Sequence, residues 1–209
     1  MSGMSKSAFL YNQIRGALRS GRYLPGHRID PAILAKEFRT SVTPVRFALY
    51  RLVGEGLIAD HARSGLYVPL LTEVALRDLY DWLQRLLLMA CDIGIEPTSA
   101  MAADPEVVSA DDDVARLTWQ LFDAIARAAD HRSLHRAVEQ ANDRLAPVRR
   151  ASRGALVDNA REELSALIRD WQERDIQSLR AGVSAYHERR KALVPHIVAL
   201  LGDDIDLIH

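Results

Sequence analysis

Apolar positions in the first seventy residues come in short bursts at helical spacing. Leu10, Ile14, Ala17 and Leu18 recur every third or fourth position, with Tyr11 beside them, and Gly21 closes the pattern. Leu24-Pro25-Gly26 then marks a turn. A short helix is predicted from Pro31 to Phe38, with Asp30 as N-cap and proline in the first turn. Arg39-Thr40-Ser41 forms a small polar break, and a third helix runs from Thr43 to Gly54. Two extended pieces follow, Leu57-Ile58-Ala59 and Leu66-Tyr67-Val68, joined by the turn Arg63-Ser64-Gly65. Three helices and a hairpin make a winged helix-turn-helix.

From Leu70-Leu71-Thr72 onward the pattern is helical only. Leu79, Trp82, Leu83, Leu86, Leu87 and Ala90 form a broad apolar face that ends near Gly94. Residues 95 to 113 carry Pro, Ser, Ala and acids around Val107-Val108 and read as a loop. Val114, Leu117, Leu121, Phe122 and Ile125 define the next helix, and another runs from Ser133 to Arg150 with Pro147 near its end. After the break Ser152-Arg153-Gly154 comes a helix bearing Leu164, Leu167, Ile168 and Trp171. The last helix starts near Asp175 and carries His187 on its apolar stripe, with a kink expected at Pro195. The expected architecture is mainly α. Residues 1–70 are expected to fold as a winged helix-turn-helix DNA-binding domain, and 71–209 as an antiparallel all-α bundle.

Composition narrows the class. Hydrophobic residues make up 48% of the chain, enough for a packed core. No apolar run reaches the roughly 18 residues of a membrane span, and Met1 to Ser7 is largely polar, so no secretory signal is expected. Cys91 is the single cysteine, set among apolar residues, which suits an inert thiol and a cytoplasmic address. The net charge of −1 conceals an asymmetry. Residues 1–70 hold ten Lys/Arg against four Asp/Glu, and the rest hold 17 against 24. A basic head on an acidic body fits a polyanion-binding module.

The head carries recognisable motifs: Gly26-His27-Arg28-Ile29, Leu34-Ala35, Ser41-Val42-Thr43-Pro44-Val45-Arg46, Ala48-Leu49, Leu52, Glu55-Gly56-Leu57-Ile58 and Gly65-x-x-Val68. Together they resemble the GntR family of bacterial transcription regulators. The helical remainder resembles the FadR branch, in its shorter VanR-like form, because the loop at 96–112 replaces a helix. The resemblance implies DNA contact by the hydroxyls and Arg that open the third helix and by the wing glycine, here Ser41, Thr43, Arg46 and Gly65. Arg46 stands one turn from Thr43, so both face one groove, while Arg39 and Arg63 flank these elements and add phosphate attraction. Three positions depart from the family. Val42 and Ala32 stand where an Arg is usual, and Phe47 where a Glu is usual, so operator sequence does not transfer.

The same resemblance implies a pocket in the bundle. Many FadR-branch proteins hold a divalent metal there with one Asp and three His. Those positions fall on Thr118, Phe122, Leu164 and His187, and an Arg that often lines the pocket falls on Leu83. One imidazole cannot hold a zinc-like ion, which takes at least three protein donors, so no metal and no other cofactor is expected. The expected pocket is apolar, with His187 as polar anchor for an aromatic or hydrophobic effector. The rival expectation is a filled core that only dimerises, which leaves a ligand-independent DNA-binding module.

Remaining candidates have plain readings. His131 and His135 share a helix face without an evident third donor and are expected as surface residues. Asp111-Asp112-Asp113 suits a helix start. Trp82, Trp119 and Trp171 suit core or interface. No nucleophile elbow or phosphate-binding glycine loop is present, so an enzyme is not expected. A homodimer is, because one winged helix covers only a half-site. The expected partners are double-stranded DNA, a second copy and a small effector, and the expected mode is repression relieved by that effector.

Overall fold

The computed structural model describes residues 5–62, 65–94, 113–152 and 159–206. Arg63, the loop at 95–112 with Asp111 and Asp112, and the break at 153–154 lie outside the described residues. Chain contacts divide the protein into two compact units, Met1–Leu70 and Leu71–His209.

The first unit opens with α1 (Lys6–Arg19), whose N-cap Ser5 accepts a hydrogen bond from the Ala8 amide at 3.2 Å. Leu10, Ile14 and Leu18 of α1 are buried against α3 (Val42–Gly54), which contributes Val45, Ala48, Leu49 and Leu52. The short α2 (Pro31–Glu37) adds Leu34 and Ala35. Its N-cap Asp30 accepts from the Ala32 amide at 2.7 Å.

The sheet differs from the two-stranded expectation. It has three strands, β1 (Arg28–Ile29), β2 (Ala59–His61) and β3 (Gly65–Tyr67), in the order β1-β3-β2. β3 pairs antiparallel with both neighbours, Arg28 opposite Tyr67 on one side and His61 opposite Gly65 on the other. A two-residue strand is too short to show alternation in sequence, so β1 exists only because β3 offers it an edge. The first hairpin strand also starts later than expected. Leu57 and Ile58 are core anchors on the way out of α3, and pairing begins at Ala59.

The second unit is helical throughout its described length. α4 (Glu73–Ile93) starts at N-cap Thr72, whose hydroxyl accepts from the Ala75 amide at 3.2 Å. Its buried stripe of Leu76, Tyr80, Leu83, Leu87 and Ala90 meets α5 (Val114–Ala128), α6 (Arg132–Ala151) and α8 (Ile176–Ala192). α7 (Ala160–Gln172) packs on α5 and α8. The expected single final helix is two helices, because α9 (Val194–Asp206) starts immediately after Leu193 ends α8. Pro195 has no N–H to continue the ladder, so it suits the first turn of a new helix better than the interior of an old one. The bundle therefore has six described helices, where the pattern suggested five. Pro147 lies within α6, and the helix continues to Ala151.

Candidate nucleic-acid interface and bundle interior

The loop between α2 and α3 sets the head's exposed chemistry. Arg39 has φ 48°, a left-handed conformation unusual for a side chain with a Cβ. Its amide reaches the Lys36 carbonyl at 3.2 Å and the Thr40 amide reaches that of Ala35 at 2.9 Å, which closes the end of α2. Ser41 then stands at the N-cap of α3 in extended conformation and makes no side-chain capping bond. Ser41 is exposed at the positive end of the helix. Thr43, Arg46, Phe47 and Tyr50 are exposed along the same helix.

Charge on the head is divided by role. Arg22 grips Glu37 through two hydrogen bonds of 2.6 Å each. Arg51 lies 3.8 Å over the Tyr11 ring and 3.3 Å from Glu55, whose second oxygen accepts from the Tyr11 hydroxyl at 2.7 Å. Burial, and then the Glu55 bond, push the Tyr11 hydroxyl up to about 12. These cations hold the fold. Arg28, Arg39 and Arg46 are exposed, and none has a carboxylate partner among the described residues. Arg28 was not singled out from the sequence. It is 37 positions from Gly65, yet β1 brings its guanidinium to 3.9 Å from where a Gly65 Cβ would be. Gly65 itself has φ 89°. Phe47, 66% exposed, and Tyr50, 55% exposed, were also missed as surface features.

In the bundle, all five candidate pocket positions are buried: Leu83, Thr118, Phe122, Leu164 and His187. Phe122 stacks on His187 with centroids 5.5 Å apart. Tyr186 meets both rings edge-on at 5.3 and 5.0 Å, and Tyr80 approaches His187 edge-on at 6.4 Å. His187 Nδ1 lies 2.7 Å from the Val183 carbonyl, so Nδ1 carries the proton and Nε2 is a bare acceptor. Burial first, then the Arg149 and Arg190 charges, drive the imidazole down to about 3, so it is neutral. The Thr118 hydroxyl donates to the Val114 carbonyl of its own helix at 2.7 Å. Arg190 packs 4.0 Å over Tyr186 and is paired with Glu163.

Several sequence expectations change in the bundle. His131 is exposed, as expected of a surface histidine, and His135 is half-buried, but both make bonds that the sequence did not suggest. His131 is the N-cap of α6, accepting from the Leu134 amide at 3.1 Å, and His135 Nε2 lies 2.8 Å from the Asp123 carboxylate. Of the tryptophans, Trp171 is core and the Trp119 indole donates to Asp143 at 2.9 Å, but Trp82 is 51% exposed. Cys91 is buried, and burial pushes its thiol up to about 11.

Residues 6–68 match the family described as "Bacterial regulatory proteins, gntR family". The matched residues lie within the amino-terminal unit. Two relatives agree over this part. The HTH-type transcriptional regulator YdhC of Bacillus subtilis (strain 168) is 34% identical over 70 residues, 34% of this chain and 31% of that protein. The Nta operon transcriptional regulator of Aminobacter aminovorans is 39% identical over 62 residues, 30% of each. The chain thus spans about a third of the curated relatives it matches. Likeness of fold extends further. E. coli McbR/YncC superposes with a TM-score of 0.67 at 20% identity, over 93% of this chain and 99% of that one. A GntR transcriptional regulator from Rhodococcus sp. RHA1 gives 0.75 at 16% identity, over 91% and 98%. A GntR winged helix with a helical second unit is therefore the fold of this chain.

The metal known in FadR-branch bundles does not fit the side chains present. Phe122 and Leu164 have no donor, the Thr118 hydroxyl is turned to Val114, and His187 offers a single nitrogen. Among the described residues no group of three His, Cys, Asp or Glu is placed to hold an ion. No described helix is long and apolar enough to cross a membrane.

Proposed function

We propose that this chain is a homodimeric, sequence-specific DNA-binding transcription regulator of the FadR branch, in its VanR-like form. It works in the cytoplasm as a repressor released by a small molecule. One observation carries the reading: the exposed start of α3 offers Ser41, Thr43 and Arg46, none committed to the fold, while neighbouring cations are already paired. Arg46 reads a base edge or grips a phosphate in the major groove, and the hydroxyls and first-turn amides of α3 hold phosphates. Gly65 and Arg28 take the flanking backbone, and Arg39 and Arg63 add phosphate attraction. Residues 1–70 read DNA, and 71–209 dimerise and bind the effector at Leu83, Thr118, Phe122, Leu164 and His187. Half-exposed Trp82, Met89 and Ile93 form one stripe of α4 and support a dimer seam there. An effector that favours one spacing of the two heads shifts the population and so changes DNA affinity.

An unbiased selection from random duplexes tests the core claim. A palindromic motif should emerge; its failure to emerge at moderate salt defeats the reading. The close ring packing of Phe122 on His187 favours a second reading, in which the bundle is filled and only dimerises. Ligand-dependent loss of operator binding separates the two.

A further inference from the structure

The two sides of α3 divide cleanly. Val45, Ala48, Leu49 and Leu52 are buried in the core of the head. With 3.6 residues per turn, the direction opposite that face runs through Thr43, Phe47 and Tyr50, and all three are exposed. Phe47 is 66% exposed and Tyr50 55%, so neither ring contributes much to the core. A single apolar residue on a surface needs no explanation. Two aromatic rings in line with Thr43, on the helix that carries Arg46, do. Their surroundings are cationic. Arg39 and Arg46 are exposed without a carboxylate partner among the described residues, and the first turn of α3 holds no acid. A rim of that charge selects a polyanion over an apolar protein partner.

We propose that Phe47 is a specificity-determining residue that reads the C5-methyl group of a thymine in the major groove. The inference rests on the reading of α3 as the groove-entering helix and adds the base that one of its side chains prefers. Phe47 follows Thr43 by four residues, about 6 Å along the helix axis. A helix that sets Thr43 against the duplex therefore carries Phe47 against it too, one turn further along. A phenyl ring has neither donor nor acceptor, so the hydrogen-bonding groups of base edges give it nothing to read. The thymine methyl is the apolar feature that a base edge presents in the major groove, and a phenyl ring covers it. Over a G·C pair the same ring would strip water from an amino group or a carbonyl without replacing the lost hydrogen bond, which is costly. Preference thus comes from attraction to one base and a penalty at the others. Arg46 and Phe47, adjacent in the chain, divide the work: the cation takes a phosphate or a guanine edge and the ring takes a thymine. Tyr50, nearly one turn beyond, ends in a hydroxyl and suits the phosphates at the groove's rim.

The test uses the full chain and the palindrome that emerges from random duplexes. Each thymine of the half-site is replaced in turn by deoxyuridine, which removes the methyl and keeps every hydrogen bond. At one or two positions the change should weaken gel-shift binding by roughly 3- to 5-fold for each methyl lost. At those positions Phe47→Ala should bind the thymine and deoxyuridine duplexes equally. Its urea midpoint should stay where it was, because Phe47 lies on the surface. Phe47→Leu, still apolar, should keep the discrimination. The proposal is overturned if deoxyuridine is tolerated at every position. It is equally overturned if deoxyuridine weakens the unaltered protein and Phe47→Ala by the same factor, since the methyl would then act through the shape of the DNA. Failure of the parent reading looks different. No palindrome would emerge at all, whereas a palindrome indifferent to deoxyuridine would uphold α3 as the groove-entering helix and sink only the role of Phe47.

Discussion

The two units handle polar chemistry in opposite ways. In the head, the candidate contacts lie on the surface and the fold does not depend on them. Ser41 makes no capping bond, Arg46 has no described carboxylate partner, and the core of Leu49, Leu52 and Ile14 closes beneath them. In the bundle, the candidate contacts are inside. Arg149, Arg190, His187 and Tyr80 are buried among the same rings that form the core. Surface groups are solvated in both bound and free states, so changing them alters recognition with little effect on stability. Buried groups have lost water, so any change to them acts on folding and binding together.

The largest expected effect is in the bundle. Glu163→Gln leaves Arg190 buried without its counter-charge and should destabilise the protein by about 3–5 kcal/mol in urea unfolding. A loss under 1 kcal/mol would show that Arg190 is solvated well enough to stand alone, and the contrast between the units would weaken. The same burial predicts a pH dependence. His187 is held near 3, below the ordinary imidazole value, so the unfolded chain binds the extra proton first. The stability it confers is present in full above pH ~6.5 and is lost as pH falls toward ~3, at about 1.4 kcal/mol per pH unit. His187→Phe should remove that part of the slope, and an unchanged slope would place the acid sensitivity elsewhere.

The head should respond in the other direction. Arg46→Ala should weaken operator binding by about 1–3 kcal/mol in gel-shift titration while unfolding stays within about 0.5 kcal/mol. An equal loss in both would put Arg46 in the fold rather than the groove. The smallest effect is expected at Arg39. Its left-handed backbone is strained for an arginine, so Arg39→Gly should stabilise the head by about 1 kcal/mol while weakening DNA affinity. A gain in stability with no loss of binding would mean that Arg39 serves neither.

Much of the head was legible because its signals are local. Asp30 and Pro31 start α2 as caps do, and Ser41 precedes α3 in the expected place. β1 was not legible, since Arg28 and Ile29 become a strand only when Leu66 and Tyr67 arrive from far along the chain. Arg28 was missed as a wing cation for the same reason. The split at Val194 was half legible: Pro195 announced a disturbance, but whether it bends a helix or starts a new one depends on what α8 and α9 pack against.

In the bundle, periodicity marked Leu83, Phe122, Leu164 and His187 as inward, and all four are buried. It did not reveal that Arg149 is inward too. Arg149 and Arg150 read alike as basic residues of a last helical turn, yet Arg149 is only 9% exposed. Asn142 holds the Arg149 guanidinium over Phe122, and the Arg150 side chain, also mostly buried, is paired with Asp113.

Sequence alone therefore determined most of the helices, several of their caps and the basic head. Each depends on residues within a turn or two of one another, where spacing and backbone preference act directly. Tertiary structure decided which cations are paired, which strand completes the sheet and which polar atoms are left unmatched in the core. Those outcomes depend on groups distant along the chain meeting in a place without water, and a charge's energy there is set by its neighbours in space.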